Sequence, residues 1–101
     1  MKIEDIEYYN AIVTVINENL ESVRFPDYRS TVNDWVDEVM KILPDGKEHF
    51  VAAVILKICA ETIGMQVGGD IVHGIEFTDG KFIVDCSDEY YVHHSVEIEV
   101  V

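Results

Sequence analysis

At Asp70 the hydrophobic spacing of this chain changes from three and four residues to two, and that change constrains the fold more than any other feature. Before it, apolar side chains recur as on helix faces. After it, "DIVHGIEF", "KFIVDC" and "YYVHHSVEIEVV" alternate as strands do. The first two runs meet at Asp79-Gly80, a pair suited to the positive φ that both positions of a tight two-residue hairpin require. That turn sets a register in which Phe77 faces Phe82, Ile75 faces Val84 and His73 faces Cys86, all on one sheet face. The expected architecture is α+β: three N-terminal helices followed by a three-stranded antiparallel β-sheet (αααβββ), with the helices packed on one sheet face.

The first helix is expected from about Glu4 to Leu20, with Ile6, Tyr9, Val13, Ile16 and Leu20 as its apolar face. A connector, "RFPDYRS", carries the helix-breaking Pro26. The second helix should start near Ser30 or Thr31, with Thr31 and Asp34 placed as a capping box. Its stripe is Val32, Trp35, Val39 and Ile42, and Pro44 marks its end. Asp45 is expected to cap a third helix running to Ile63, with Gly64 as its stop. That helix is apolar nearly all round, apart from a stripe through Lys57 and Glu61, and is expected to be the central, most buried one.

At 101 residues, 49% of them hydrophobic, residues 1–101 are expected to form one acidic α+β domain with a real core. No apolar run approaches the ~20 residues that span a bilayer, and "MKIEDIEYYN" lacks the basic and apolar parts of a signal peptide. A cytoplasmic location is expected, with Cys59 and Cys86 reduced.

The formal charge is −13, from 20 acids and 7 bases. From Ile58 onward there are 9 acids and one base, Lys81. Such a chain repels nucleic acid and anionic membrane and is steered toward a basic protein partner. The outer sheet face should carry Glu76, Asp85, Glu97 and Glu99 together with Tyr91, His93 and Ile83. Carboxylates interleaved with aromatics suit partner binding, Tyr being a frequent interface anchor. The expected function is therefore a small interaction module that binds and inhibits or regulates a basic partner, a nucleic-acid-handling protein in the sharper form of the reading. Its sharpest form is a charge mimic of nucleic acid, as in phage-borne anti-restriction and anti-CRISPR proteins. That analogy comes from size and charge; no residue motif carries it.

The adjacent pair His93-His94 cannot close on one metal in a regular strand, because neighbours point to opposite faces. His94 goes with the apolar side (Val92, Val96, Ile98, Val100) and His93 with the wet one (Tyr91, Ser95, Glu97, Glu99). An alternative is a His/Cys metal site or small enzyme on the inner face, built from Cys59, His73, Cys86 and His94. A Cys86–His73 nucleophile pair draws on the same residues, without a recognisable oxyanion hole or orienting carboxylate. The spacing matches no zinc module. The glycines of "IGMQVGGDIVHG" form no phosphate loop, and the acids offer many carboxylate pairs with no motif to select one. No catalysis and no cofactor are expected in the leading reading.

A third alternative is a structural homo-oligomer subunit. A three-residue Ser87-Asp88-Glu89 loop would place Cys86 opposite Tyr90 and leave Ile98 and Val100 beyond the hairpin tip. A longer loop would shorten that overhang. Edge pairing of two C-terminal strands would give a homodimer.

Overall fold

The computed structural model describes residues 3–20 and 28–100. Helices α1 (Ile3–Asn19), α2 (Tyr28–Ile42) and α3 (Glu48–Val67) precede strands β1 (Ile71–Thr78), β2 (Lys81–Ser87) and β3 (His93–Glu99). The sheet is antiparallel in the order β1-β2-β3, and the fold is the expected αααβββ. The connector at residues 24–27, Pro26 included, lies outside the described residues. No helix among the described residues is long and apolar enough to cross a membrane.

α1 is turned relative to its expected face. Tyr8, Tyr9, Ala11, Ile12, Val15 and Ile16 are buried, whereas Ile6 is exposed and Val13 and Leu20 are only partly covered. The wider buried face follows from several neighbours, because α1 packs on α2, α3 and β1. Tyr9 stacks on Phe77 at 4.2 Å and meets Phe50 and Phe82 edge-on. Tyr8 donates its hydroxyl to the carbonyl of Leu43, 2.9 Å away, which satisfies its polar end in the core.

α2 begins at Tyr28, so Thr31 sits in its first turn and does not cap it. Val32, Trp35 and Val39 are buried as expected. Ile42 is exposed, and Val36, Met40 and Leu43 share the covering instead. α3 also departs at both ends. Gly46 takes φ +89°, which lengthens the turn, so the helix starts at Glu48 with Lys47 before it and no side-chain cap from Asp45. Lys47 pairs with Asp5 at 2.8 Å and tethers this turn to α1. The helix runs through Gly64, a residue that costs a helix interior only about 1 kcal/mol, and ends at Gly68-Gly69. There Gly69 takes φ +90°, and the Asp70 amide donates back to the Met65 carbonyl at 2.9 Å. α3 is not buried all round: Val51, Ile55, Ile58 and Cys59 face the core, while Leu56 is exposed on its open side.

The hairpin register holds at Phe77–Phe82 and Ile75–Val84 and fails at His73. A bulge between Val72 and Gly74 places Val72, not His73, opposite Cys86. The extra residue lets an apolar side chain take the inner position and sends the imidazole to the wet face, sparing the cost of burying it. The β2–β3 connection spans residues 88–92, so Cys86 faces His94 and Lys81 faces Glu99. The expected overhang is therefore absent: Ile98 lies opposite Phe82 and is buried.

The two sheet edges are unequal. Asn17 of α1 donates its amide to the Ile75 carbonyl and accepts from the Ile75 N–H, both at 2.8 Å, so it closes the outward backbone groups of β1 at that point. On β3, the amide of Asp88 donates to the carbonyl of Val92, and alternation from that pair turns the backbone groups of His93, Ser95, Glu97 and Glu99 outward. Lys57 donates to the outward carbonyl of Glu99. Among the described residues, no segment bonds to the outer edge of β3 from His93 to Glu97.

Candidate functional site

Alternation along β2 and β3 puts Asp85, Glu97, Glu99 and His93 on the solvent face, with Glu76 of β1 beside them, all exposed. Lys81 reaches across to Glu97 at 2.9 Å, and that hydrogen bond leads the effects that hold its ammonium above the usual range. His93 Nδ1 lies 3.6 Å from Asp85 Oδ1. The bulged His73 stacks on His93 with ring centres 5.0 Å apart, and its Nε2 is 2.7 Å from the Ser87 hydroxyl. A shallow groove of about 450 Å³ crosses the same face, lined by Asn17, Gly74, Glu76, Ile83, Asp85 and Ser95.

Tyr91 is in the loop, not in the strand. Asp88 organises that loop by accepting from the amides of Tyr90 at 2.9 Å and Val92 at 3.0 Å, and Tyr91 adopts φ +64°. The result is an apolar tip, with Tyr90 77%, Tyr91 82% and Val92 59% exposed. Strand alternation assigns Val92, and Tyr90 with it, to the inner face and so does not mark them as candidates. The Asp88 side-chain turn is the signal that marks the loop. Acid also gathers elsewhere: Asp34, Asp37 and Glu38 line a groove of about 430 Å³ beside Trp35 and Asn19.

The inner-face set of Cys59, His73, Cys86 and His94 does not converge. His73 is on the opposite side, and Cys59 sits in the core near Trp35, Ile58 and Ile75. Burial pushes the Cys59 thiol up to about 12. Burial, with Asp70 and Asp85 adding to it, also raises the Cys86 thiol. Neither is poised as a nucleophile, since the thiolate is the reactive form. His93 and His94 do point to opposite faces. On the helix side, His94 Nε2 donates to Asp70 Oδ2 at 3.0 Å, and Cys86 donates its S–H to the His94 carbonyl at 3.5 Å. Asp70 joins this cluster without any spacing in the sequence that marks it as a ligand. Its sequence signal is its place directly after Gly68-Gly69, where the chain turns into the sheet.

Comparison with known proteins returned no matching family model, no matching curated protein and no matching solved structure.

Proposed function

We propose that the chain is a small acidic protein–protein interaction module that binds a basic partner through the outer sheet face. Glu76, Asp85, Glu97 and Glu99 supply the charge, His93 lies among them, and Tyr91 anchors the contact from the adjoining loop. One observation carries the choice of face: the exposed Tyr90-Tyr91-Val92 tip runs directly into β3, whose outer side presents His93, Glu97 and Glu99 in turn, so an apolar anchor stands at one end of a strip of carboxylates. The acidic groove along α2 has no such tip among the described residues. The sharper form of the reading is inhibition of a nucleic-acid-handling protein by charge mimicry, of the anti-restriction or anti-CRISPR kind. Net charge supports it, and the cytoplasm, which keeps two free cysteines reduced, is the compartment it implies.

The test is capture from the native host, followed by affinity measurement with the purified captured protein. Glu97→Lys with Glu99→Lys is compared with Asp34→Lys with Asp37→Lys, which makes the same change in net charge on the helical side. The sheet-face variant is expected to lose about tenfold or more in affinity at low salt, and the helical variant only what the net-charge change costs. Equal retention by wild type and both variants would remove the outer face from consideration.

A second reading, a homodimer through the C-terminal strand, is favoured by the edge asymmetry: β1 is closed at Ile75 by Asn17, while β3 is open from His93 to Glu97. Two β3 strands paired antiparallel about Val96 would set Ser95 opposite Glu97 and His93 opposite Glu99 of the second copy. Proline at 95 removes an outward N–H and leaves the β2 ladder intact. Solution mass across a concentration series is expected to show a dimer for wild type and a monomer for Ser95→Pro. A monomer for both would end this reading.

A further inference from the structure

The ends of the three strands bring three chemically different donors together on the helix side of the sheet. Asp70 lies just before β1, Cys86 is in β2, and His94 faces Cys86 across the β2–β3 ladder. One ligand atom from each, a carboxylate oxygen, a thiol sulfur and an imidazole nitrogen, lies within 4.8 Å of the other two. We propose that Asp70, Cys86 and His94 form a binding site for a single divalent transition-metal ion of the zinc type. The inference is independent of the acidic outer face, from which the sheet separates it.

The donor set selects the ion class. Calcium and magnesium take oxygen ligands, whereas sulfur with imidazole nitrogen suits zinc and cobalt(II). Bond lengths near 2.0–2.3 Å in a tetrahedral site require donor atoms about 3.3–3.6 Å apart. Asp70 and His94 are 3.0 Å apart and all three donor atoms lie within 4.8 Å of one another, so closure on an ion takes side-chain movements of roughly 1–1.5 Å by that pair. Both have room to make it, because His94 is 44% and Asp70 21% exposed at the side chain. Cys86 is buried and fixed in the middle strand. Asp70 is fixed at the backbone by its hydrogen bond to Met65 at the end of α3. Three protein donors leave the fourth tetrahedral position to water or to a residue of a bound partner.

Binding exchanges protons in a defined way. The Cys86 thiol loses its proton to solvent as the sulfur–metal bond forms. His94 enters as neutral imidazole with its remaining proton on the nitrogen that does not ligate, and the hydrogen bond it now gives Asp70 is replaced by their shared bond to the ion.

The full chain, purified without an affinity tag and treated with a chelator, is titrated with cobalt(II) and followed by absorption. The expected result is one equivalent bound, with a thiolate-to-cobalt charge-transfer band in the near ultraviolet and intense tetrahedral d–d bands in the visible. Cys86→Ser is expected to abolish the charge-transfer band. His94→Ala, a change at a half-exposed side chain that leaves the core intact, is expected to weaken binding about tenfold or more. Cys59→Ser is expected to leave the spectrum unchanged. A weak octahedral spectrum without charge transfer would show carboxylate binding only and overturn the proposal. So would unchanged affinity in His94→Ala, which decides the matter even where Cys86→Ser fails to fold.

Discussion

Phe82→Ala is expected to cost about 3–5 kcal/mol and to lower the thermal midpoint by roughly 15–30 °C. Phe82 is fully buried in the central strand. Its ring meets Tyr9 at 5.6 Å and Phe77 at 5.1 Å, and Tyr9 in turn contacts Phe50 of α3. The cavity left by truncation is therefore bounded by rings from α1 and β1, each already held by other contacts, and it cannot collapse without unstacking Tyr9 from Phe77. A domain of this size has only about 5–15 kcal/mol to lose. Urea and thermal unfolding followed by circular dichroism measure the loss. Phe82→Leu, which keeps most of the volume, is expected to cost under about 1.5 kcal/mol if rigid packing is the cause. A loss of less than about 1 kcal/mol in Phe82→Ala would mean that this ring cluster does not organise the core.

Asn17→Leu is expected to destabilise by about 2–4 kcal/mol, although Asn17 is a largely exposed residue of a helix. The reason lies in its two hydrogen bonds to one residue of β1, which satisfy both outward backbone groups of Ile75. Leucine has a similar size and covers the same groups without bonding them, so each is left desolvated and unpaired. The effect has a local signature. The Ile75 amide is expected to exchange with solvent at least about tenfold faster in the variant, beyond what the global stability change accounts for. Asn17→Gln, which keeps both polar groups at a different reach, is expected to recover part of the loss. Unchanged exchange at Ile75 would show that the amide merely rests against the strand. The variant also exposes a second open edge next to that of β3, so added association at high concentration is the expected side effect.

Much of the fold was legible because it depends on periodicity and turn chemistry, which are local. The period change at Asp70 and the Asp79-Gly80 turn led directly to the hairpin and to Phe77–Phe82 and Ile75–Val84. The structure departs from the sequence pattern where a local rule has a tertiary competitor. Gly64 reads as a stop, yet α3 continues past it, and Gly69 is the glycine that takes positive φ. Strict alternation put His73 inside, and a bulge gave that position to Val72. The candidate site divides in the same way. Alternation alone assigns Glu76, Asp85, Glu97, Glu99 and His93 to the outer face, and they are there. The meeting of Asp70 with Cys86 and His94 depends on how a helix end, a middle strand and an edge strand align, which no spacing in the chain encodes.

The tripeptide Glu-Tyr-Tyr marks the boundary between the two kinds of information. It occurs at Glu7-Tyr8-Tyr9 and again at Glu89-Tyr90-Tyr91. In the first, Tyr8 and Tyr9 are 1% and 3% exposed; in the second, Tyr90 and Tyr91 are 77% and 82% exposed. The helical and extended segments, the hairpin turn, the acidity and the two-sidedness of the strands are written in the chain, since each follows from neighbours along it. Which aromatic pair becomes core and which becomes surface is set by the packing of the folded chain. Burial depends on what lies opposite in space: α3 and the sheet close over Tyr8 and Tyr9, whereas the Asp88 turn carries Tyr90 and Tyr91 past the end of the sheet, where no described element covers them.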